Sequence, residues 1–325
     1  MCASGPLAWR SFKRYYFVNR GYHMDQAKKS KKKLYAKETA TGFLFCSPYI
    51  IFFVVLFLIP LIWAFWLSTM DWNLMSPDRK FVGVQNFLNA FRDNEVIVAF
   101  KNSWKYFLFV VLLSLIGGLV IALLVNRLPV RIRGIASVLF FVPYLTSGVA
   151  VSVMTKYLFS YNSILNAFLR EKLNIQIDWF INAKSAFAVI ILMIVWKLSG
   201  YYALYLTAAM QGIPNDVRES AELDGSTGVH RFFHITLPMM LPTVTTILTL
   251  AAGTAFGVYT EPFLLTEGGP ANATTTWTLE IYYRAFTRFD SGYGTAMAIL
   301  FALQIFVTIK VINIVMGKLN EKYGC

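Results

Sequence analysis

Of 325 residues, 57% are hydrophobic and 16% aromatic, and only 14% are charged. A soluble domain carries about 25% charged residues, so this composition excludes a soluble globular enzyme and predicts an integral membrane protein. The net charge is +13, from 30 Lys and Arg against 17 Asp and Glu.

Much of that charge sits in residues 1–42, which run from Arg10 to Lys37 in basic clusters against only Asp25 and Glu38. A basic run suits nucleic acid as well as lipid. This one abuts a long apolar stretch, so it reads as a cytoplasmic tail that attracts anionic headgroups, and membrane lipid rather than nucleic acid is the expected partner. Cys2, Cys46 and Cys325 are too few and too scattered for a disulfide framework or a metal site.

A helix needs about 20 mostly apolar residues to cross the hydrocarbon core. Six stretches qualify, over residues 43–69, 105–126, 134–158, 185–209, 239–260 and 292–317, leaving 318–325 as a short C-terminal end. The first begins too far into the chain, and runs too long, to be a cleaved signal peptide. Placing the N-terminus inside puts most of the Lys and Arg outside the spans on the inner face, so both termini are expected in the cytoplasm. The outer loops leave room for small helices but not for a folded enzyme.

The inner connection 210–238 is the longest on its side and mostly polar. Asn215 or Asp216, after Pro214, fits the start of a short helix, and Gly225 fits its stop. Nine residues later comes Ile235-Thr236-Leu237-Pro238. By shape alone, an amphipathic helix resting on the membrane surface explains this loop equally well.

The residue order adds to that. Glu219-Ser220-Ala221, then Gly225, then Ile235-x-Leu237-Pro238 resemble the EAA loop of binding-protein-dependent ABC importer permeases, departing from its usual Glu-Ala-Ala only at Ser220. Phe81-Val-Gly-Val-Gln-Asn-Phe87, Leu264-Leu-Thr-Glu-Gly-Gly-Pro270 with the threonines that follow, and Tyr293-Gly-Thr-Ala-Met-Ala298 are similar to segments of the carbohydrate branch, the maltose and oligosaccharide type. The resemblance implies an all-α membrane protein of six transmembrane helices with a cytoplasmic coupling loop, forming half of the translocation pathway of an ATP-driven sugar importer in a prokaryotic cytoplasmic membrane. It implies a second, homologous permease as heterodimer partner, two ATPase subunits and an extracytoplasmic solute-binding protein. The coupling residues it implies are Glu219, Ser220, Ala221, Leu223, Asp224, Gly225, Ile235, Leu237 and Pro238. Small Ala221 would let the helix approach an ATPase groove closely, and Glu219 would accept charge-assisted hydrogen bonds there. Gly225 would permit a sharp exit, and Pro238 is tolerated in the first turn of the next helix.

No Gly-x-x-x-x-Gly-Lys-Ser/Thr occurs in the chain. ATP and Mg are therefore expected on the partner ATPase, with no cofactor, catalytic residue or metal in this chain. A proton- or sodium-coupled carrier usually places carboxylates inside its spans. None lies well inside the six, only Glu261 near an outer end, so an autonomous secondary carrier is the weaker reading.

For the solute pathway, the fourth span carries Lys197, Tyr201 and Tyr205 at helical spacing on one stripe. A charge near mid-span costs about 2.5–3.5 kcal/mol on insertion scales, so Lys197 should face a watery cavity or another subunit. The family resemblance assigns Tyr201 to the sugar site. The bland alternative is that the tyrosines pack between helices and Lys197 snorkels. Gly253 and Gly257 form a Gly-x-x-x-Gly pair that suggests close helix packing, with Phe256 and Tyr259 beside it as further pathway candidates. Tyr144, after Pro143, is either a lining residue or part of a kinked packing helix. Maltose-type relatives carry Asn side chains on the fifth helix and none is present here, which argues against maltose itself; a polyol or glycerophosphodiester is the alternative solute, and Lys197 keeps an anionic one open. His230 and His234 are spaced i, i+4 but lack a third ligand, and read as surface or interface histidines.

Overall fold

The computed structural model describes Thr39 and residues 41–323. The predicted basic tail falls almost wholly outside these residues. The first helix, α1 (Thr41–Ser68), is long and apolar enough to span a membrane. It contains a π-helical turn at Val54–Leu58, and its side chains up to Ala64 are largely exposed.

From Phe65 onwards the chain forms a separate compact unit. It opens with a two-stranded antiparallel hairpin, β1 (Met70–Trp72) and β2 (Arg79–Phe81), where helices alone were expected. Two cross-strand pairs favour the hairpin: Asp71 opposes Lys80, and the Arg79 guanidinium lies 4.1 Å from the centre of the Trp72 ring. Then come α2 (Gln85–Ala90) and α3 (Asn94–Arg127), whose first turn is capped by the Asp93 side chain accepting from the Glu95 amide at 3.0 Å. The hydrophobic stretch fixed the end of α3 but not its start, because its first eleven residues are polar enough to lie beyond the hydrocarbon.

The third predicted span, 134–158, is not one helix. It is α4 (Val130–Leu145) and α5 (Gly148–Leu158), bent by 87° at a break. Pro143 removes a donor inside α4, Thr146 and Ser147 adopt extended backbone, and the Thr146 hydroxyl donates to the Pro143 carbonyl at 2.6 Å. After α6 (Ile164–Leu173) comes α7 (Ala183–Gln211), which is continuous. The cytoplasmic loop of the prediction forms α8 (Asn215–Leu223) and α9 (Gly228–Arg231), followed by a π-helical turn at Phe232–Thr236. The fifth span, predicted to end at 260, consists of α10 (Leu241–Phe256) and, past a break at Gly257, α11 (Thr260–Thr266). A short α12 (Trp277–Tyr282) precedes α13 (Ser291–Tyr323), which runs on through the stretch assigned to a C-terminal end. Among the described residues there are thus five spans by length and apolarity, and a sixth if the bent pair counts as one.

The core lies where α3, α7 and α10 meet, around Tyr106, Ile190, Tyr202, Leu206 and Ile247. Small residues set the distances. At Gly118 an added methyl would stand 3.1 Å from the Ser199 carbonyl and Tyr202 Cβ, so α3 and α7 touch through backbone. At Gly200 a methyl would collide with the Phe140 carbonyl, so α4 rests directly on α7. The Glu267–Thr276 loop is pinned to α3: Asn102 Nδ2 donates to the Asn272 carbonyl at 2.9 Å and the Thr275 carbonyl at 3.1 Å, and Ser103 Oγ accepts from the Trp277 amide at 2.8 Å.

The faces of this unit differ in chemistry. At the end opposite α8, Arg284 bridges Asp93 (2.8 Å), Glu95 (2.5 Å) and Glu280 (2.8 Å), Arg288 adds a second contact to Glu95 at 2.7 Å, and the Tyr293 hydroxyl donates to Asp93 at 3.0 Å. Burial raises the Glu280 carboxyl above its ordinary range, against the lowering effect of its Arg284 hydrogen bond.

Candidate functional site

Two groups of candidate residues are brought together, one beyond the C-terminal end of the long α7 helix and one against its middle. The first is the coupling region. Asn215 and Asp216 do not cap α8. Pro214 occupies that position without a side-chain hydrogen bond, and its fixed φ aligns the first turn. The stop is as expected, and its geometry is complete. Gly225 sits at φ +73°, its amide donates to the Glu222 carbonyl at 3.0 Å, and the Ser226 amide donates to the Ala221 carbonyl at 2.9 Å. This is a Schellman motif, in which a residue with a side chain at Gly225 would be strained.

The faces of α8 differ sharply. Glu219, Ser220 and Asp224 are exposed, and Leu223 is 89% exposed. Ala221 is buried within this chain, on the side of α8 away from Leu223. Ala221, Asp224, Gly225 and Ile235 line one cavity of about 470 Å³ with Thr227 and His230. An ion pair between Glu222 and Arg231 ties α8 to α9. Leu237 and Pro238 are half-buried in the turn leading into α10. His230 and His234 stack at 4.0 Å, the His234 ring nitrogen pairing with the His230 carbonyl at 3.1 Å.

The second group lies where α4 crosses α7. Tyr144 and Tyr201 stack at 4.2 Å with ring planes 10° apart. Phe141 continues the stack onto Tyr144 at 5.5 Å, and the Tyr201 and Tyr205 hydroxyls pair at 3.1 Å. Lys197 stands one turn before Tyr201, half-buried. The structure thus unites Tyr144, Tyr201, Tyr205 and Lys197. It does not unite the rest. Tyr259 belongs to another cluster, 5.3 Å from Phe263 and 5.2 Å from Tyr282. Phe256 is fully buried, stacked on Phe107 at 4.8 Å and edge-on to Trp104 at 5.1 Å, so here it packs the core.

The Gly253–Gly257 pair meets no other helix of this chain. A methyl at Gly253 would meet nothing within 4 Å, and Gly257 ends α10, so within this chain the pair is not a packing seam. The glycines that do bring helices together are Gly118 and Gly200. The signal for Gly118 was in the sequence, since Ser114, Gly118 and Ala122 repeat every four residues on one buried face of α3, whereas Gly200 has no such repeat and only interrupts an otherwise bulky stretch. Phe141 and Gly148 were missed because the break that presents them lies inside what reads as one apolar run.

The geometry is that of a helical membrane permease: a polar-lined helix crossing inside the spans, and one short helix displayed beyond them. Comparison with known proteins gives the same class. The sequence matches the family of binding-protein-dependent transport system inner membrane components over residues 114–322. It is 32% identical to the probable ABC transporter permease protein YesP of Bacillus subtilis, over 86% of this chain and 90% of that protein. It is 25% identical to the arabinooligosaccharides transport system permease protein AraP of the same species, over 90% of this chain and 92% of that one. In fold it resembles a chain from the crystal structure of a bacterial ABC transporter involved in the import of the acidic polysaccharide alginate, with a TM-score of 0.76 and 22% identity over 88% of this chain and 99% of that one. The chain belongs to the family of binding-protein-dependent inner membrane transport components: it is an ABC importer permease, and not itself an enzyme.

Proposed function

We propose that this permease forms half of the translocation pathway of a saccharide importer, paired with a different but homologous permease. Both termini lie in the cytoplasm, and of the importer's two ATPase subunits, which hold ATP and Mg, one docks on α8. The observation that carries the docking is the exposed edge formed by Glu219, Ser220 and Leu223 on a helix whose opposite side is closed by Ala221. A fully exposed leucine beside a carboxylate is what an interface anchor looks like before its partner covers it. ATP-driven closure of the ATPases moves α8, and the Glu222–Arg231 ion pair and the Gly225 turn make α8 and α9 move together.

Saccharide as the solute is supported by the Phe141–Tyr144–Tyr201–Tyr205 cluster, because sugars are gripped by aromatic faces and hydroxyl hydrogen bonds. It is also supported by the relative whose name places it in arabinooligosaccharide transport. The test is a tagged pull-down in mild detergent, with co-purifying chains identified by mass spectrometry, comparing wild type with Glu219→Lys. An ATPase and a second permease are expected with wild type, and the ATPase is expected to be lost from the variant. A wild-type chain that comes out alone and intact overturns the docking reading.

A further inference from the structure

Glu261 was passed over as a residue near a span end, yet it shares a gap with Lys197. A side chain begun at Gly148 would stand 3.5 Å from Lys197 Nζ, 3.8 Å from Glu261 Oε1 and 3.8 Å from Thr260 Cγ2. Three elements therefore converge on one point: mid-α7, the first turn of α11, and the first residue of α5 just past the break. Lys197 and Glu261 are close enough to act on each other's charge, but they form no direct ion pair, and among the described residues Lys197 has no hydrogen-bond acceptor. A pair whose only task was mutual neutralisation inside a membrane would close into contact, since both charges gain by it. Here the missing side chain of Gly148 leaves the space between them open. Ser147, which precedes it, makes no side-chain cap to α5.

We infer that Lys197 and Glu261 are a specificity-determining pair that grips adjacent hydroxyls of an uncharged saccharide and rejects anionic ones; this rests on the saccharide reading above. A hydroxyl both donates and accepts, so one hydroxyl of a vicinal pair accepts from the ammonium while its neighbour donates to the carboxylate. Both charged groups are then satisfied, and the net charge in the gap stays at zero. A uronate carboxylate in the same place would meet Lys197 favourably but would bring a second negative charge beside Glu261. One turn along α7 from Lys197, Tyr201 with Tyr144 supplies the apolar surface for the sugar's C–H face.

The experiment is saturation-transfer NMR on the transporter complex, purified through this chain and held in nanodiscs without its binding protein. The probes are a mixture of neutral gluco-, xylo- and arabino-oligosaccharides with di- and trigalacturonate. Wild type should saturate neutral sugars in preference to uronates. Glu261→Gln should shift the uronate-to-neutral ratio by about tenfold, equivalent to about 1.4 kcal/mol. Lys197→Met should lose the neutral signal without gaining uronates. Gly148→Ala, whose methyl fits at ordinary contact distances, should weaken neutral binding by partly filling the gap. The ratio is independent of how much complex folds, so a poorly expressed variant still reports. A wild type that prefers uronates, or a ratio unchanged by Glu261→Gln, overturns the inference and leaves the saccharide reading standing. Saturation of neither class in wild type overturns the saccharide reading itself.

Discussion

Tyr144 and Tyr201 stack face to face at 4.2 Å although they come from helices of different spans. The contact exists because Gly200, the residue before Tyr201, lets the α4 backbone at Phe140 lie directly against α7. Backbone proximity at one residue thus sets a ring contact at the next.

Gly200→Ala should therefore act on the stack without touching either ring. The added methyl must push α4 outward, with an overpacking cost of about 1–3 kcal/mol. The expected outcome is a lower apparent melting temperature of the purified complex and loss of transport, while Gly253→Ala, which meets open space within this chain, leaves the chain's own fold unchanged. Thermal unfolding followed by tryptophan fluorescence checks both.

The two sides of α8 should separate by mutation. Leu223→Ser changes an exposed side chain, so the permease should fold normally and lose its ATPase in a pull-down. Ala221→Leu extends a buried side chain into the cavity shared with Gly225 and Ile235 and should alter the folded permease itself, read as a shift in its own melting temperature. Equal shifts in both variants would contradict the assignment of faces.

The Arg284 cluster holds three carboxylates and two guanidinium groups. Removing its central cation leaves Asp93, Glu95 and Glu280 facing one another with only Arg288 remaining. Arg284→Met should destabilise the complex by less than the ~3–5 kcal/mol of a fully buried pair, because Glu95 is 39% exposed and solvent screens it. Glu280→Gln instead balances the cluster, and its apparent melting temperature should stay much closer to wild type.

Asp290 yields a pH dependence. Burial raises its carboxyl above the ordinary value, against a lowering hydrogen bond from the Tyr293 amide, with Asp71 adding to the rise. A carboxyl raised by folding binds its proton more tightly folded than unfolded, so its ionisation opposes the fold as pH rises through the folded value. Asp290→Asn keeps an acceptor for Tyr293 and removes the ionisation. The variant should melt above wild type at neutral pH, and the difference should shrink as pH falls below the carboxylate range. A difference that grows on acidification would contradict the sign.

The membrane class and the rough position of every span follow from apolar runs, because lipid imposes length and composition on a helix whatever its neighbours do. The Gly225 stop was equally legible, since a helix end in left-handed backbone nearly demands glycine. What composition could not show was the break at Thr146–Ser147: Pro143 marks a kink, but a kink and an 87° bend share one hydrophobic profile. The direction of Ala221 was hidden for another reason. A short helix between two spans has two candidate partners, its own chain and another, and small size suits both. Phe256 shows the same limit, because an aromatic residue on a spanning helix reads alike whether it faces a path or Phe107.

The break in the third span makes one stretch of chain belong to two bodies. Its first arm rests on α7 through Gly200, and its second arm packs on α11. Under the proposed docking on α8, a displacement of α7 would carry Phe141 and Tyr144 with it, and Gly148 would stay with α11. Thr146 and Ser147 are the joint between these arms, and in the proposed cycle the stroke would be taken up there as a change in distance between the ring stack and the acidic side of the gap.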